Sequence, residues 1–421
     1  MHIKLAKLFF ILMFFYQGWY QDVYEPIPRM LLILGAPMML MLVFHYFKTR
    51  RNFLDALSGE VGIWFVFAII SYISGIFIVD ELPLLISSVF KLVQYLFVFS
   101  AVLIIADQDQ SIGFFIKVFA GLVLLCAATT LIAGEEFAFG RISIGEKNPN
   151  ALGLLMSYGI FCVLYMIDIK KNLTPILSLS SILLFIYVII LTGSRKSFLA
   201  ALLLILFWMV FIFPKELRVL SVKRKVAIVS ITLVTCAIAY FIAEPLIRDA
   251  ILFERLDTLF SEGDEVRSTL VADGFRFFAE NPIFGIGYDQ YRELSSFGTY
   301  SHSTYAEAFA CTGLVGAIIY FSVYVIILGK LIKIIVLNKE AGTTQNAVMF
   351  LALMGIIIFL AVGVIHFYNF DSIIMFGIIV AFCNITLKAR KEQENEHKER
   401  TKPIRQKPQK IDISAGNKKF I

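Results

Sequence analysis

The sequence predicts an all-α polytopic membrane protein of about 12 transmembrane helices, with one large extracytoplasmic loop that contains an amphipathic helix. Three observations carry this. Of 421 residues, 59% are hydrophobic and only 17% charged, and the mean hydropathy is +0.80, too apolar for a soluble chain of this length. The apolar residues gather in runs of the roughly 20 residues that a helix needs to cross the hydrocarbon core. The runs do not alternate in polarity as barrel strands do, so their backbone must be satisfied within each segment, as helix.

In chain order the expected spans lie near 5–20, 29–47, 61–79, 84–105, 112–133, 150–167, 173–192, 196–213, 226–243, 303–329, 346–366 and 371–387. The first opens with MHIKLAKLFFILMFFYQGWY. No small-residue cleavage site follows it in QDVYEPIPRM, so the helix is expected to be retained. The span from 303 is expected to continue as an amphipathic helix through GKLIKIIVL. Thirteen Lys and Arg residues fall in one set of short loops, from Lys48 to Lys339. The other set holds four: Arg141, Lys147, Arg195 and Lys196. That bias puts the first set and both termini in the cytoplasm. Only ADQDQSI at 106–112, without a positive charge, fits this poorly.

The same orientation places the loop 244–302 outside; it carries five arginines and no lysine. Its middle reads as a helix capped by Asp264 and stopped by Pro282. Val266, Leu270, Val271, Phe275 and Phe278 give it an apolar face that would lie on the membrane or cover a cavity. Residues 1–390 form the membrane domain in this reading. Residues 391–421 form a polar, Lys-rich cytoplasmic tail that is expected to be disordered.

Several function classes are disfavoured. The net charge of +6 comes largely from that tail, so no nucleic-acid partner is expected. Cys126, Cys162, Cys236, Cys311 and Cys383 each lie in an apolar run, without a CxxC pair, as buried thiols would. No GxGxxG, Walker loop or metal-spaced cluster appears, and no cofactor or metal is expected.

The candidate chemistry lies in a few polar residues. Lys117 can snorkel to a helix end. Lys91, with Gln94 nearby, is placed where such a residue faces a bundle interior or a water-filled cavity. Basic residues on the outer side run against the topological bias and need a reason. Arg195, in LTGSRKSFLAALL, either anchors a helix end with Lys196 or holds a guanidinium fork over a cavity to grip phosphate oxygens. Arg141 precedes NPN, where Asn150 could cap a helix whose N-terminus favours an anion. Arg267 either pairs with Asp264 or Glu265 or serves the same anion.

His302, in GTYSHSTYAEAF, either belongs to the aromatic interface beside Tyr300 and Tyr305 or acts as a base near neutral pH. A base and several arginines on one membrane face suggest transfer from a phosphorylated lipid to a hydroxyl. His366, in VIHFYNFD, is the reserve base.

The combination GRISIGEKNPNALG, then LTGSRKSFLA, then ENPIFGIGYDQY and HSTYAEAFACTGLVGAIIYF resembles the O-antigen ligase and polymerase superfamily. The resemblance implies a multi-span bacterial glycosyltransferase that is metal-independent and uses a glycan donor carried on undecaprenyl diphosphate. It implies that arginines of the Ser-Arg turn and outer loop bind the diphosphate and that the loop histidine is essential. On this sequence those are Arg195, Arg267 and His302, with Arg255 in FERLDTL as the alternative loop arginine. Arg141, Lys196, Asn150 and Lys91 are the further candidates for donor contact. Glu307, five residues past His302, is about one and a half helical turns on and is not expected to support it directly.

Attack by an acceptor hydroxyl opposite the diphosphate would invert the anomeric centre. The leading expectation is a polymerase of surface polysaccharide repeat units, for capsule, exopolysaccharide or O-antigen, with a lipid-linked glycan acceptor and a separate chain-length regulator. A Ser-Arg-Lys turn is similar to that of capsule-type polymerases. The alternatives are a ligase onto lipid A-core, a protein oligosaccharyltransferase, and a transporter of lipid-linked oligosaccharide. A transporter would be expected to show interrupted helices near the bilayer midplane.

Overall fold

The structure is a computed structural model and describes residues 1–21, 30–49, 59–76, 82–138, 140–145, 147–167, 174–218, 221–223, 226, 230, 265–338 and 340–400. The helices are α1 (His2–Phe15), α2 (Met30–Thr49), α3 (Gly59–Ile76), α4 (Leu82–Asp109), α5 (Gly113–Ala133), α6 (Pro149–Met166), α7 (Thr174–Thr192), α8 (Arg195–Phe211), α9 (Phe213–Arg218), α10 (Glu265–Glu280), α11 (Tyr291–Leu294), α12 (Thr304–Leu337), α13 (Ala341–Leu360) and α14 (Phe370–Arg400). Among the described residues, ten helices are long and apolar enough to cross a membrane. The chain is an all-α polytopic membrane protein.

The apolar runs became helices close to where hydropathy puts them, and the departures have physical causes. The first run is α1 continued by a π-helical turn, Tyr16–Tyr20, so it is helical but not one regular α-helix. Apart from residues 226 and 230, the run expected at 226–243 lies outside the described residues, as do the Asp264 cap and the tail beyond residue 400. The run expected at 346–366 starts earlier and stops at Leu360. Beyond it, Ala361 O and Val364 O accept from Thr304 N (2.8 and 3.2 Å), which takes these carbonyls out of a helix. Residues 391–400 are helical, extending α14 ten residues into the stretch expected to be a disordered tail. A short antiparallel hairpin, Glu135–Ala138 with Arg141–Ser143, stands between α5 and α6.

The α4, α6 and α14 spans are 72%, 78% and 78% buried, against 22% for α2 and 28% for α7, so the first three form the centre of the bundle. Lipid tails are as apolar as leucine, so van der Waals fit rather than water exclusion holds such helices together. Trp64, Phe67, Tyr320 and Phe376 supply that fit, with Trp64 edge-on to Tyr320 at 5.4 Å. Cys126, Cys162, Cys311 and Cys383 are buried free thiols.

The acidic turn at 106–112 sits at the end of the bundle that carries the start of α1 and the far part of α14. Lys7 pairs with Asp109 (2.5 Å) and Lys388 with Asp107 (2.8 Å). Its carboxylates are neutralised by lysines from neighbouring helices, which a count of Lys and Arg per loop does not register.

Helix α12 is broken at Gly313 (φ 61°, ψ −165°). The turn NPIFGIG, residues 281–287, fills the break with its own backbone. Ile286 N and Gly287 N donate to Ala310 O and Cys311 O (2.8 and 3.0 Å). Leu314 N and Val315 N donate to Pro282 O and Ile283 O (2.8 and 3.2 Å). Two glycines make this approach possible. A Cβ on Gly285 would meet Ala310 O and Cys311 C at 2.5 Å, and one on Gly313 would strike the backbone of Ile283 and Phe284.

Candidate active site

At the end of the bundle opposite the acidic turn, two helix N-termini converge. Asn148 caps α6, its side chain accepting from Asn150 N (2.8 Å), with Pro149 in the first turn. The cap is therefore Asn148 and not Asn150, because Pro149 needs a cap immediately before it. Asn150 is released to accept from Arg141 Nη2 through Oδ1 (2.8 Å), while Arg141 Nε donates to Thr192 O (2.8 Å). Arg141 thus ties the hairpin to the end of α7 and braces Asn150. The second N-terminus is that of α8, which opens directly with Arg195 and Lys196. Ser194 and Ser197 share a hydroxyl contact of 2.8 Å at its first turn.

Asn150, Ser194, Arg195, Lys196, Ser197, Arg267, Gly363 and Val364 line one cavity of about 20 Å³, room for about one water. Three cations and two helix N-termini face this one space, where the helix dipoles and the guanidinium and ammonium charges favour negative charge. Lys196 lies over Gly363, where a Cβ would collide with its Nζ, Cε and Cδ.

Arg267 reaches the cavity from the start of α10. That helix packs on the first part of α12 through Phe278 against Phe309 (5.3 Å) and on α11 through Phe277 against Tyr291 (5.5 Å). Its buried face is Leu270, Asp273, Gly274 and Phe277. Val266 and Phe275, expected on the apolar face, are exposed. Burial alone would raise the Asp273 pKa. Hydrogen bonds from Ser296 and the charge of Arg276 outweigh it and hold the carboxyl below its ordinary value, which secures the 291–300 segment to α10.

His302 is half-buried with φ 56°, the left-handed region, where a non-glycine residue is uncommon. Both flanks are fixed. Before it, Ser301 N donates to Glu307 Oε2 (2.9 Å) and Ser301 Oγ to Ser303 O (3.0 Å). After it, Ser303 caps α12, and Thr304 donates through both N and Oγ1 to Val364 O, a residue of the cavity wall. The histidine turn is thereby bonded to the wall of the cation-lined cavity. Glu307 is wholly buried and does support the turn directly, contrary to the helical count. Ser301 precedes the helix, so the chain folds back over the first turn instead of running along the axis.

Two other candidates separate from this site, and a third is not among the described residues. Lys91 does not face a bundle interior. It is exposed on α4 with its ammonium 5.8 Å from the Tyr95 ring, as a snorkelling lysine is placed. His366 is buried, with Nδ1 3.0 Å from Ser372 Oγ and Nε2 2.9 Å from Ile357 O. The carbonyl can only accept, so Nε2 carries the proton. Burial lowers the pKa to about 4, against a small opposing effect of that carbonyl, and the ring is a structural post. Arg255 lies outside the described residues. Sequence reasoning missed Asn148, Gly363 and Glu307; Pro149 was the one local signal that pointed to the first.

The segment from α7 through the first half of α12 is similar to a known family. Residues 180–321 match the family model described as O-antigen ligase. The match spans a third of the chain and includes Arg195, Lys196, Arg267 and His302, together with both glycines of the α12 break. It supports an O-antigen ligase or polymerase type of membrane function, an enzyme role and lipid-linked glycan substrates in a bacterial membrane. No curated protein matches the chain.

Proposed function

We propose that this O-antigen ligase family protein transfers a glycan from undecaprenyl diphosphate to an acceptor hydroxyl at the outer face of the cytoplasmic membrane, extending surface polysaccharide repeat units. One observation carries the reading: Arg195, Lys196 and Arg267 converge with two helix N-termini on one cavity, whose wall is hydrogen-bonded to the turn that bears His302. The acceptor O–H attacks the anomeric carbon while the bond from that carbon to the diphosphate oxygen breaks. The electron pair leaves with the diphosphate, where fixed guanidinium and N–H donors stabilise it. The hydroxyl proton goes to His302. Attack opposite the leaving group inverts the centre. The Ser-Arg-Lys turn supports polymerisation over transfer to lipid A-core.

The broken helix does not favour a transporter. Its four freed backbone groups at residues 310, 311, 314 and 315 are all taken by the 281–287 turn, leaving none of them for a substrate.

The test is reconstitution. Purified protein in liposomes receives undecaprenyl-diphosphate-linked repeat units from its own host. A product ladder that vanishes with His302→Ala and Arg267→Ala is the expected result. Transfer only after lipid A-core is added would make the protein a ligase. No transfer to any acceptor, with movement of the lipid-linked glycan across the bilayer, would replace this reading by transport.

A further inference from the structure

The Tyr300 side of the His302 turn holds a second polar group that the diphosphate chemistry leaves unused. Its centre is Asp289, in GIGYDQY, which is 8% exposed and adopts φ 64°. A non-glycine residue held there is strained, and such strain gathers at functional positions. Its carboxylate is aimed deliberately: Ser88 Oγ of α4 donates to Oδ2 at 2.6 Å, and Arg292 Nη2 stands 3.7 Å from the same oxygen. Its backbone N donates to the Tyr368 hydroxyl (3.1 Å). The other oxygen, Oδ1, is buried with no hydrogen-bond partner, and so is Nε2 of the adjacent Gln290, a residue 5% exposed. Buried polar atoms are almost always satisfied, so a neighbouring acceptor and donor left open together call for an explanation.

Aromatic side chains lie against Asp289. Tyr300 and Tyr368 are half-buried with ring centroids 5.3 Å apart, Tyr288 lies 5.2 Å from Tyr368, and Arg292 stacks 5.6 Å from Tyr300. Burial, and then the Asp289 charge, raise the pKa of the Tyr300 hydroxyl, so it stays a protonated donor at neutral pH.

A carboxylate oxygen and an amide N–H₂ without hydrogen-bond partners on consecutive residues, with the half-buried Tyr300 hydroxyl at the same carboxylate, match a sugar ring. Vicinal hydroxyls can both donate and accept, and the C–H face of the ring covers an aromatic plane. An anion is disfavoured by Asp289 itself. A metal cation is disfavoured because no cluster of three His, Cys, Asp or Glu ligands occurs among the described residues.

We propose that Asp289, Gln290, Tyr300 and Tyr368 form the subsite for the acceptor glycan, which rests on the glycosyl-transfer reading above. Tyr300 is two residues before His302, and Thr304, bonded to the cavity wall, is two residues after it. The base therefore stands between the acceptor sugar and the diphosphate, where a hydroxyl proton is removed. Asp289 and Gln290 orient the acceptor; they do not touch the breaking bond.

The test uses the full chain in lipid nanodiscs and two probes measured separately. One is undecaprenyl diphosphate. The other is lipid-free repeat-unit oligosaccharide cleaved from the producing cell's own polysaccharide. Wild type is expected to bind both. Asp289→Asn and Tyr300→Leu should each weaken oligosaccharide binding at least ten-fold and leave diphosphate binding unchanged, while Arg267→Ala should do the reverse. Retained diphosphate binding also certifies the fold of each variant, and Tyr300→Leu decides the matter if Asp289→Asn does not fold. Oligosaccharide binding equal in wild type and variants, or absent from a wild type that binds diphosphate, would overturn the subsite alone. Asp289-dependent oligosaccharide binding without diphosphate binding would keep the subsite and overturn the donor reading. Binding of neither probe would overturn both.

Discussion

Replacing Gly313 by alanine should unfold the site end of the molecule. The dihedrals there, φ 61° and ψ −165°, lie in a region that is open in practice to glycine alone. Holding an alanine in it costs about 1–3 kcal/mol. The new Cβ would also strike backbone atoms of Ile283 and Phe284, which no rotamer change can move aside. The 281–287 turn must then withdraw, and four backbone hydrogen bonds of 2.8 to 3.2 Å go with it. At about 1 kcal/mol each the total reaches roughly 5–7 kcal/mol, comparable to the whole stability of many folds. Gly329 lies in the same helix with open space where its Cβ would be, so Gly329→Ala should stabilise by up to about 1 kcal/mol. Fluorescence-detected gel filtration and thermal unfolding in detergent would compare the two. A Gly313→Ala protein that melts within a degree or two of wild type would refute the account of the broken helix.

Three further outcomes are expected. Glu307→Ala strands the buried Ser301 N–H, at about 1–3 kcal/mol, and frees the His302 turn. It should therefore lower kcat with little change in donor KM, while Glu307→Gln, which keeps an accepting oxygen, should stay near wild type in steady-state transfer assays. Gly363→Ala displaces the Lys196 ammonium, and the loss of one charged contact of about 1.5 kcal/mol should raise the donor KM about ten-fold at unchanged melting temperature. Acid should destabilise the fold through His366. Its folded pKa of about 4 lies below the ordinary 6.5, so between these values the unfolded chain binds a proton that the folded one refuses. Its contribution is complete above pH 6.5 and shrinks as pH falls toward 4, by up to about 3 kcal/mol. Melting curves from pH 7.5 to 4.5 should slope less for His366→Gln than for wild type.

Hydropathy alone reveals most of the membrane helices, because twenty apolar residues in lipid have little choice but helix. It fails where another backbone satisfies the chain. CTGLVG reads as uninterrupted helix, yet at Gly313 the partner groups come from residues 282–287, distant in sequence. VGVIH fails likewise, since Thr304 draws Ala361 O and Val364 O out of the helix. The cations of the site were legible because Arg195, Lys196 and Arg267 oppose the charge bias of the loops. Their partners were not, because nothing in the spacing of Gly363 shows that Lys196 lies over it. Helical counting misjudged Glu307, and residue type misjudged Lys91: a lysine in a span can as readily face outward over Tyr95 as inward.

The cation-lined space, whose wall is bonded to the His302 turn, has room for one water, and a diphosphate needs several times that volume. The proposed donor therefore enters this space only if the side chains that line it move apart. Arg267 rides on α10, which is held by ring contacts at Phe277 and Phe278, so displacement of that helix would carry its guanidinium away from the other lining cations. Apparent donor affinity is then the intrinsic affinity scaled by the fraction of molecules already open. Substitutions under α10, far from any substrate atom, become a dial on occupancy. Phe278→Leu, by loosening the helix, would tighten apparent donor binding even as it removed a contact.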